Sequence, residues 1–117
     1  MKPVQSPITT HVLDTAAGHP AHNLAVELAA LDEEGRWTLL GASATGDDGR
    51  VSDLLAPGSL EARTYRLTFD TGAYFRSYGR PVFYPRVEII FSVLAPGEHH
   101  HIPLLLSPFG YTTYRGS

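Results

Sequence analysis

The chain is 117 residues long, 43% hydrophobic, with 9 basic and 12 acidic side chains and a formal net charge of -3. That length gives one domain, residues 1–117, whose modest core oligomerisation would reinforce. The acidic balance argues against a nucleic-acid-binding domain, which carries a basic face, and the absence of cysteine excludes disulfides and thiolate metal sites.

In chain order the periodicity is that of strands. The opening MKPVQSPITTHVLD holds one lysine and no apolar run of signal-peptide length, and no stretch is long enough to span a bilayer. A soluble cytoplasmic protein is expected. Ile8 to Asp14 (ITTHVLD) is short and β-branched; AAGHPAHN follows as a loop, with His19 and His22 exposed in it. LAVELAAL alternates, with Leu24, Val26 and Leu28 on one face and Glu27 on the other. The DEEG turn joins it to RWTLLGASAT as a hairpin, and GDDGR makes a second turn. Val51 to Leu55 reads as a short strand, and ARTYRLTF alternates with Tyr65, Leu67 and Phe69 together. TGAYFRSYG is the one helix candidate, with Thr71 as cap and Gly79 as terminator. RVEIIFSVL is the most strand-like segment. HHHIPLLLS and YTTYR form a last hairpin, with Pro108 and Gly110 in the turn, and Pro103 marks an edge or a bulge. About eight short strands with regular turns predict an all-β sandwich.

The chemistry concentrates in the histidines, of which there are six. His99, His100 and His101 are consecutive, so strand alternation puts His99 and His101 on one face and His100 on the other. Two imidazoles so spaced suit acid–base work or a metal, with His11 as third ligand; a solvated histidine loop explains the spacing equally well. His11 sits inside a strand between Thr10 and Val12. On pattern alone it reads better as a half-buried histidine bonded to a neighbouring hydroxyl or backbone group. Arg50 follows an Asp-Gly turn and is either a solvated strand start paired with Asp47 or Asp48, or a fixed cation for a developing oxyanion. Glu27 and Glu88 fall on the polar faces of their strands and read as solvated, not as paired catalytic carboxylates.

Three segments taken together, ITTHVLDTAAGHPA, TGDDGR and HHHIPLLLSPFGYTTYRGS, resemble the 5-hydroxyisourate hydrolases, the transthyretin-related enzymes of urate breakdown. The likeness runs over essentially the whole chain, and the terminal YRGS after PLLLSP is its most specific part. The resemblance implies a transthyretin-like β-sandwich of two four-stranded sheets with one short helix. It implies a homotetramer, a dimer of dimers, with active sites at the dimer–dimer interface. It implies catalytic roles for His11, Arg50 and His101, and substrate binding by His99, Tyr114, Arg115, Gly116 and Ser117. His100 departs from relatives that carry tyrosine there.

The activity so implied is hydrolysis of 5-hydroxyisourate, with no metal and no organic cofactor. His101 with His11 would activate water, Arg50 would hold carbonyls and oxyanion, and His99 would relay protons or position its neighbour. The competing class is a hormone-binding transthyretin, whose channel does not present this polar set; a purely structural sandwich is a third reading. At the chain end, Tyr111, Thr113 and Arg115 share a face, and Gly116 is expected to adopt a backbone closed to other residues. The bend would bring Ser117 beside Tyr114, so an appended tag is expected to intrude on the site.

Overall fold

The computed structural model describes residues 6–117, so Met1–Gln5, the start of the segment weighed as a targeting peptide, lie outside it. Its strands are β1 (Ile8–Asp14), β2 (His19–Pro20), β3 (Ala25–Leu31), β4 (Trp37–Ala44), β5 (Arg50–Val51), β6 (Thr64–Phe69), β7 (Val87–Ser92), β8 (His100–Ser107) and β9 (Gly110–Thr113), with one helix, α1 (Thr71–Ser77). They form two sheets. One has the order β2-β1-β8-β9 with β5 also paired to β1; the other has the order β4-β3-β6-β7. The expected sandwich with one short helix is present. The first sheet counts five strands because two two-residue pieces pair with β1, β2 at its end and β5 at its middle, where a loop and a longer strand to Leu55 were expected.

Alternation makes the core. Ile8, Val12, Leu104 and Leu106 from the first sheet are fully buried, as are Val26, Leu28, Leu67, Phe69 and Val87 from the second. Two inner faces of this kind pack into one layer between sheets. The odd-numbered residues of β1 and β8 consequently face outward. β1 and β8 run parallel in the register Thr9↔His101 and His11↔Pro103, and β5 adds His11↔Arg50 on the other side.

Two local expectations are corrected. The helix cap is Asp70, not Thr71: the Asp70 carboxylate accepts from the Ala73 amide at 3.1 Å, while the Thr71 hydroxyl donates to the Tyr84 carbonyl. Gly79 ends the helix as expected, at φ 66°. The Gly79 and Arg80 amides donate to the Arg76 and Phe75 carbonyls in a Schellman closure. Pro103, expected at an edge or bulge, lies in β8 between two neighbours. It is tolerated there because β9 stops pairing at Leu104↔Thr113. The Pro103 carbonyl takes the Thr113 hydroxyl instead of a ladder amide, and pairing resumes as a single bridge, His101↔Gly116. Tyr114 and Arg115 thus pass the one position on β8 that has no N–H to offer.

The far end of β1 is clamped by Asp14, which is 1% exposed. Its carboxylate accepts from Tyr74 Oη, from both terminal nitrogens of Arg80, and from the Ala16 and Ala17 amides. The group ties the first sheet to α1 and the segment after it. Burial pushes the Asp14 carboxyl up, but the Arg80, Ala17 and Tyr74 hydrogen bonds and the Arg80 charge outweigh it and bring the carboxyl to about 2. Among the described residues no helix is long and apolar enough to cross a membrane.

A folded-state value below the ordinary one stabilises the protein above pH 4 and stops doing so as pH falls toward 2. Asp14→Asn should therefore flatten the acid limb of the stability curve, measured by urea unfolding between pH 2 and 6. Asp14→Ala, which strands Arg80, should cost on the order of 3 kcal/mol at neutral pH.

Candidate active site

The outward face of β1 and β8 carries the polar set. Thr9 is only 6% exposed although it points outward, because two imidazoles cover it. Its Oγ1 lies 2.9 Å from His99 Nε2 and 2.8 Å from His101 Nδ1. The two rings stand 6.5 Å apart at 23°, nearly parallel. His100 turns inward as alternation requires, is buried, and donates from Nδ1 to the Glu98 carbonyl.

His11 lies one ladder step along, and its Nε2 donates to the Asp48 carbonyl at 2.8 Å. A carbonyl only accepts, so this nitrogen carries the hydrogen, and a neutral His11 keeps its lone pair on Nδ1. The backbone partner that the sequence left open for His11 is thus the turn holding Arg50. That turn is closed by Gly49 N to Gly46 O and by the Asp48 carboxylate, which accepts the Arg50 amide at 3.0 Å. Gly49 is required twice over: its φ is 78°, and a Cβ there would sit 2.4 Å from the Val12 carbonyl. The Arg50 guanidinium is 4.0 Å from Asp48, a loose contact, and 55% exposed, so most of its donors remain available. Asp47, the other proposed partner, pairs with His22.

Thr9, Arg50, Ser52, His99, His101 and Ser117 line one cavity of about 360 Å³. The chain end reaches it through the His101↔Gly116 bridge, with Gly116 N donating to His101 O at 2.8 Å. Gly116 is not at positive φ. Glycine is needed there for close approach, since a Cβ would fall 2.7 Å from His101 Cδ2. Tyr114 and Arg115 are not brought into this cavity. They line a separate groove with Ile90 and Leu94, and Arg115 is paired with Glu98 at 2.9 Å. Ser117 and Tyr114 therefore line different concavities. Thr9 and Ser52 escaped the sequence reading. Thr9 is two residues before His11 and so shares its face, a signal that was present, but its partnership with His101 depends on the parallel register.

His101 is held below its ordinary value. Burial penalises its charged form, and the Arg50 charge and the neighbouring histidines His11 and His99 act in the same direction. A neutral imidazole beside a free guanidinium can take a proton while the cation holds an oxyanion. Among the described residues no three His, Cys, Asp or Glu side chains gather into a metal-ligand set.

This fold and polar pocket define a class. Residues 8–116 match the model of the HIUase/Transthyretin family. The chain is 48% identical to 5-hydroxyisourate hydrolase of Mus musculus over 113 residues, 96% of each chain. It is 46% identical to 5-hydroxyisourate hydrolase 2 of Rhizobium meliloti over 115 residues, 94% of this chain and 95% of that one. Sea bream transthyretin in complex with thyroxine superposes with a TM-score of 0.90 at 32% identity, covering 94% of each chain. Klebsiella pneumoniae 5-hydroxyisourate hydrolase gives 0.80 at 38% identity, covering 94% of this chain and 98% of that one. The chain belongs to the HIUase/Transthyretin family.

Gly116→Ala should displace the His101 ring while leaving the core intact. The expected result is a shift of the His101 imidazole NMR resonances with a melting temperature close to wild type. Unmoved resonances would mean the chain end gives way instead.

Proposed function

We infer that the protein is a 5-hydroxyisourate hydrolase. It opens the six-membered ring at its cyclic amide to give 2-oxo-4-hydroxy-4-carboxy-5-ureidoimidazoline, a step of urate catabolism. The observation that carries the reading is the meeting of His101, His99 and Arg50 at one cavity, in a chain 48% identical to the mouse hydrolase. In this reading His101 takes a proton from water as the water oxygen attacks the ring carbonyl. Arg50 holds the oxyanion of the tetrahedral intermediate, the C–N bond breaks, and the leaving nitrogen receives, by way of His101, the proton taken from water. His11, whose Nε2 is engaged by Asp48, serves by holding the Arg50 turn. Gly116 lets the chain end lie against His101, and Ser117 offers its hydroxyl to the substrate from the cavity wall.

The homotetramer belongs to the same proposal, with the open cavity facing a dimer–dimer interface and the exposed Ile90, Leu94 and Tyr114 serving subunit contacts. Light scattering should give four times the 12.8 kDa chain mass; a monomer would remove the interface from the mechanism. A cytoplasmic location is proposed with it. Tyr114 and Arg115, away from the cavity of their own chain, would bind substrate only by way of such an assembly.

The decisive experiment follows the ultraviolet absorbance of freshly generated 5-hydroxyisourate. Purified protein should speed its decay, and a rate equal to buffer would overturn the reading. His101→Ala and Arg50→Ala should each lower kcat/KM by about 10²- to 10³-fold. Because burial and the Arg50 charge hold His101 below the ordinary imidazole value, kcat/KM should change little around neutral pH and fall in acid, as His101 takes up a proton. The competing reading, a thyroxine carrier like the sea bream protein, predicts saturable thyroxine binding and no hydrolysis.

A further inference from the structure

The bond pattern at Thr9 has a consequence that rests on the hydrolase reading and extends it. Thr9 Oγ1 has two partners among the described residues, His99 Nε2 and His101 Nδ1, and it is nearly sealed from solvent. A hydroxyl has one hydrogen to donate. If it goes to one imidazole, the other nitrogen must supply the hydrogen of the second bond. The three groups therefore form an ordered row in which reversing one bond reverses the next.

We propose that the Thr9 hydroxyl is a proton wire joining His101 to His99, and that it sets the His101 tautomer. In the resting row His101 Nδ1–H donates to Thr9 Oγ1 and the Thr9 O–H donates to His99 Nε2. His101 then presents a bare Nε2 to the cavity. When that nitrogen takes the proton of the attacking water, His101 Nδ1 passes its hydrogen to Thr9 and Thr9 passes its own to His99 Nε2. Three bonds break, the O–H of water, the Nδ1–H of His101 and the O–H of Thr9, and three form, the Nε2–H of His101, a new O–H on Thr9 and the Nε2–H of His99. His101 ends neutral, and the positive charge ends on His99. The direction follows from surroundings. His101 is half-buried beside the Arg50 cation, whereas His99 is exposed to water. Charge left on His101 would be desolvated and repelled; charge on His99 is hydrated. His99 thus works at one remove from the water, and Thr9 is a positioning residue that never needs to touch substrate.

The test uses Thr9→Val, which keeps the β-branched shape suited to β1 but has no hydroxyl, and Thr9→Ser, which restores one. Two readouts are taken. In ¹⁵N NMR of the imidazoles at neutral pH, the wild type and Thr9→Ser should show His101 protonated at Nδ1. Thr9→Val should lose that preference, because the other nitrogen's partner fixes the tautomer. In the 5-hydroxyisourate assay, Thr9→Val should lose roughly ten- to a hundredfold in kcat, within the range for proton transfer, and Thr9→Ser should recover to within a few-fold. His99→Asn should lose a similar factor, and adding Thr9→Val to it should cost little more, as groups in one row are not additive. Wild-type His101 protonated at Nε2, or a Thr9→Val enzyme with unchanged kcat, would overturn the wire. Should Thr9→Val not fold, the wild-type and Thr9→Ser tautomers and the His99→Asn rate still decide. A wild type that hydrolyses nothing would defeat the hydrolase reading, while the tautomers would still report on the row.

Discussion

The structure depends on the parallel pairing of β1 with β8. It joins segments some ninety residues apart, from Ile8↔His100 to Asp14↔Leu106, and no local hairpin can supply it. Everything in the candidate site is counted from that register. Thr9 lies beside His101 because they are partners in it. Arg50 arrives on the other flank of β1, and the chain end is drawn over His101 because β8 still has an open edge beyond Pro103. A slip of one residue would turn the polar set into the core and the core into water. The buried Ile8, Val12, Leu104 and Leu106 make such a slip prohibitive.

Much of this was legible in the sequence, because alternation is a local property. The shared face of His99 and His101, the inward turn of His100, the helix and its Gly79 stop could all be read from spacing. What was not legible required knowing a neighbour. Pro103 reads as an edge residue until the absence of a β9 partner at that position is seen. Gly116 reads as a backbone hinge until the His101 ring is found against it. Asp70 and Thr71 are adjacent and both can cap; the choice turns on the Tyr84 carbonyl, thirteen residues away, which claims the Thr71 hydroxyl. The sequence does not single out Thr9, because a threonine in a strand has an adequate explanation in its β-propensity alone.

The thyroxine complex of sea bream transthyretin and the Klebsiella hydrolase share this architecture, so the fold alone selects neither function. In the proposed reading the selection falls to a handful of outward residues: two imidazoles joined through a hydroxyl, a guanidinium on a glycine-braced turn, and a terminal glycine thin enough to lie against a ring. None of these contributes to the apolar layer between the sheets.

The two faces of β1 consequently answer to different demands along only seven residues. Its inward positions, ending in the Asp14 clamp, pack the layer between the sheets; its outward positions, Thr9 and His11, carry the polar groups on which the proposed activity rests. Substitutions that rewrite the outward set spare the layer that holds the sheets together. A lineage could therefore abandon one chemistry and acquire another on this strand without passing through an unfolded ancestor, and the two activities now found on the fold are what such freedom would leave behind.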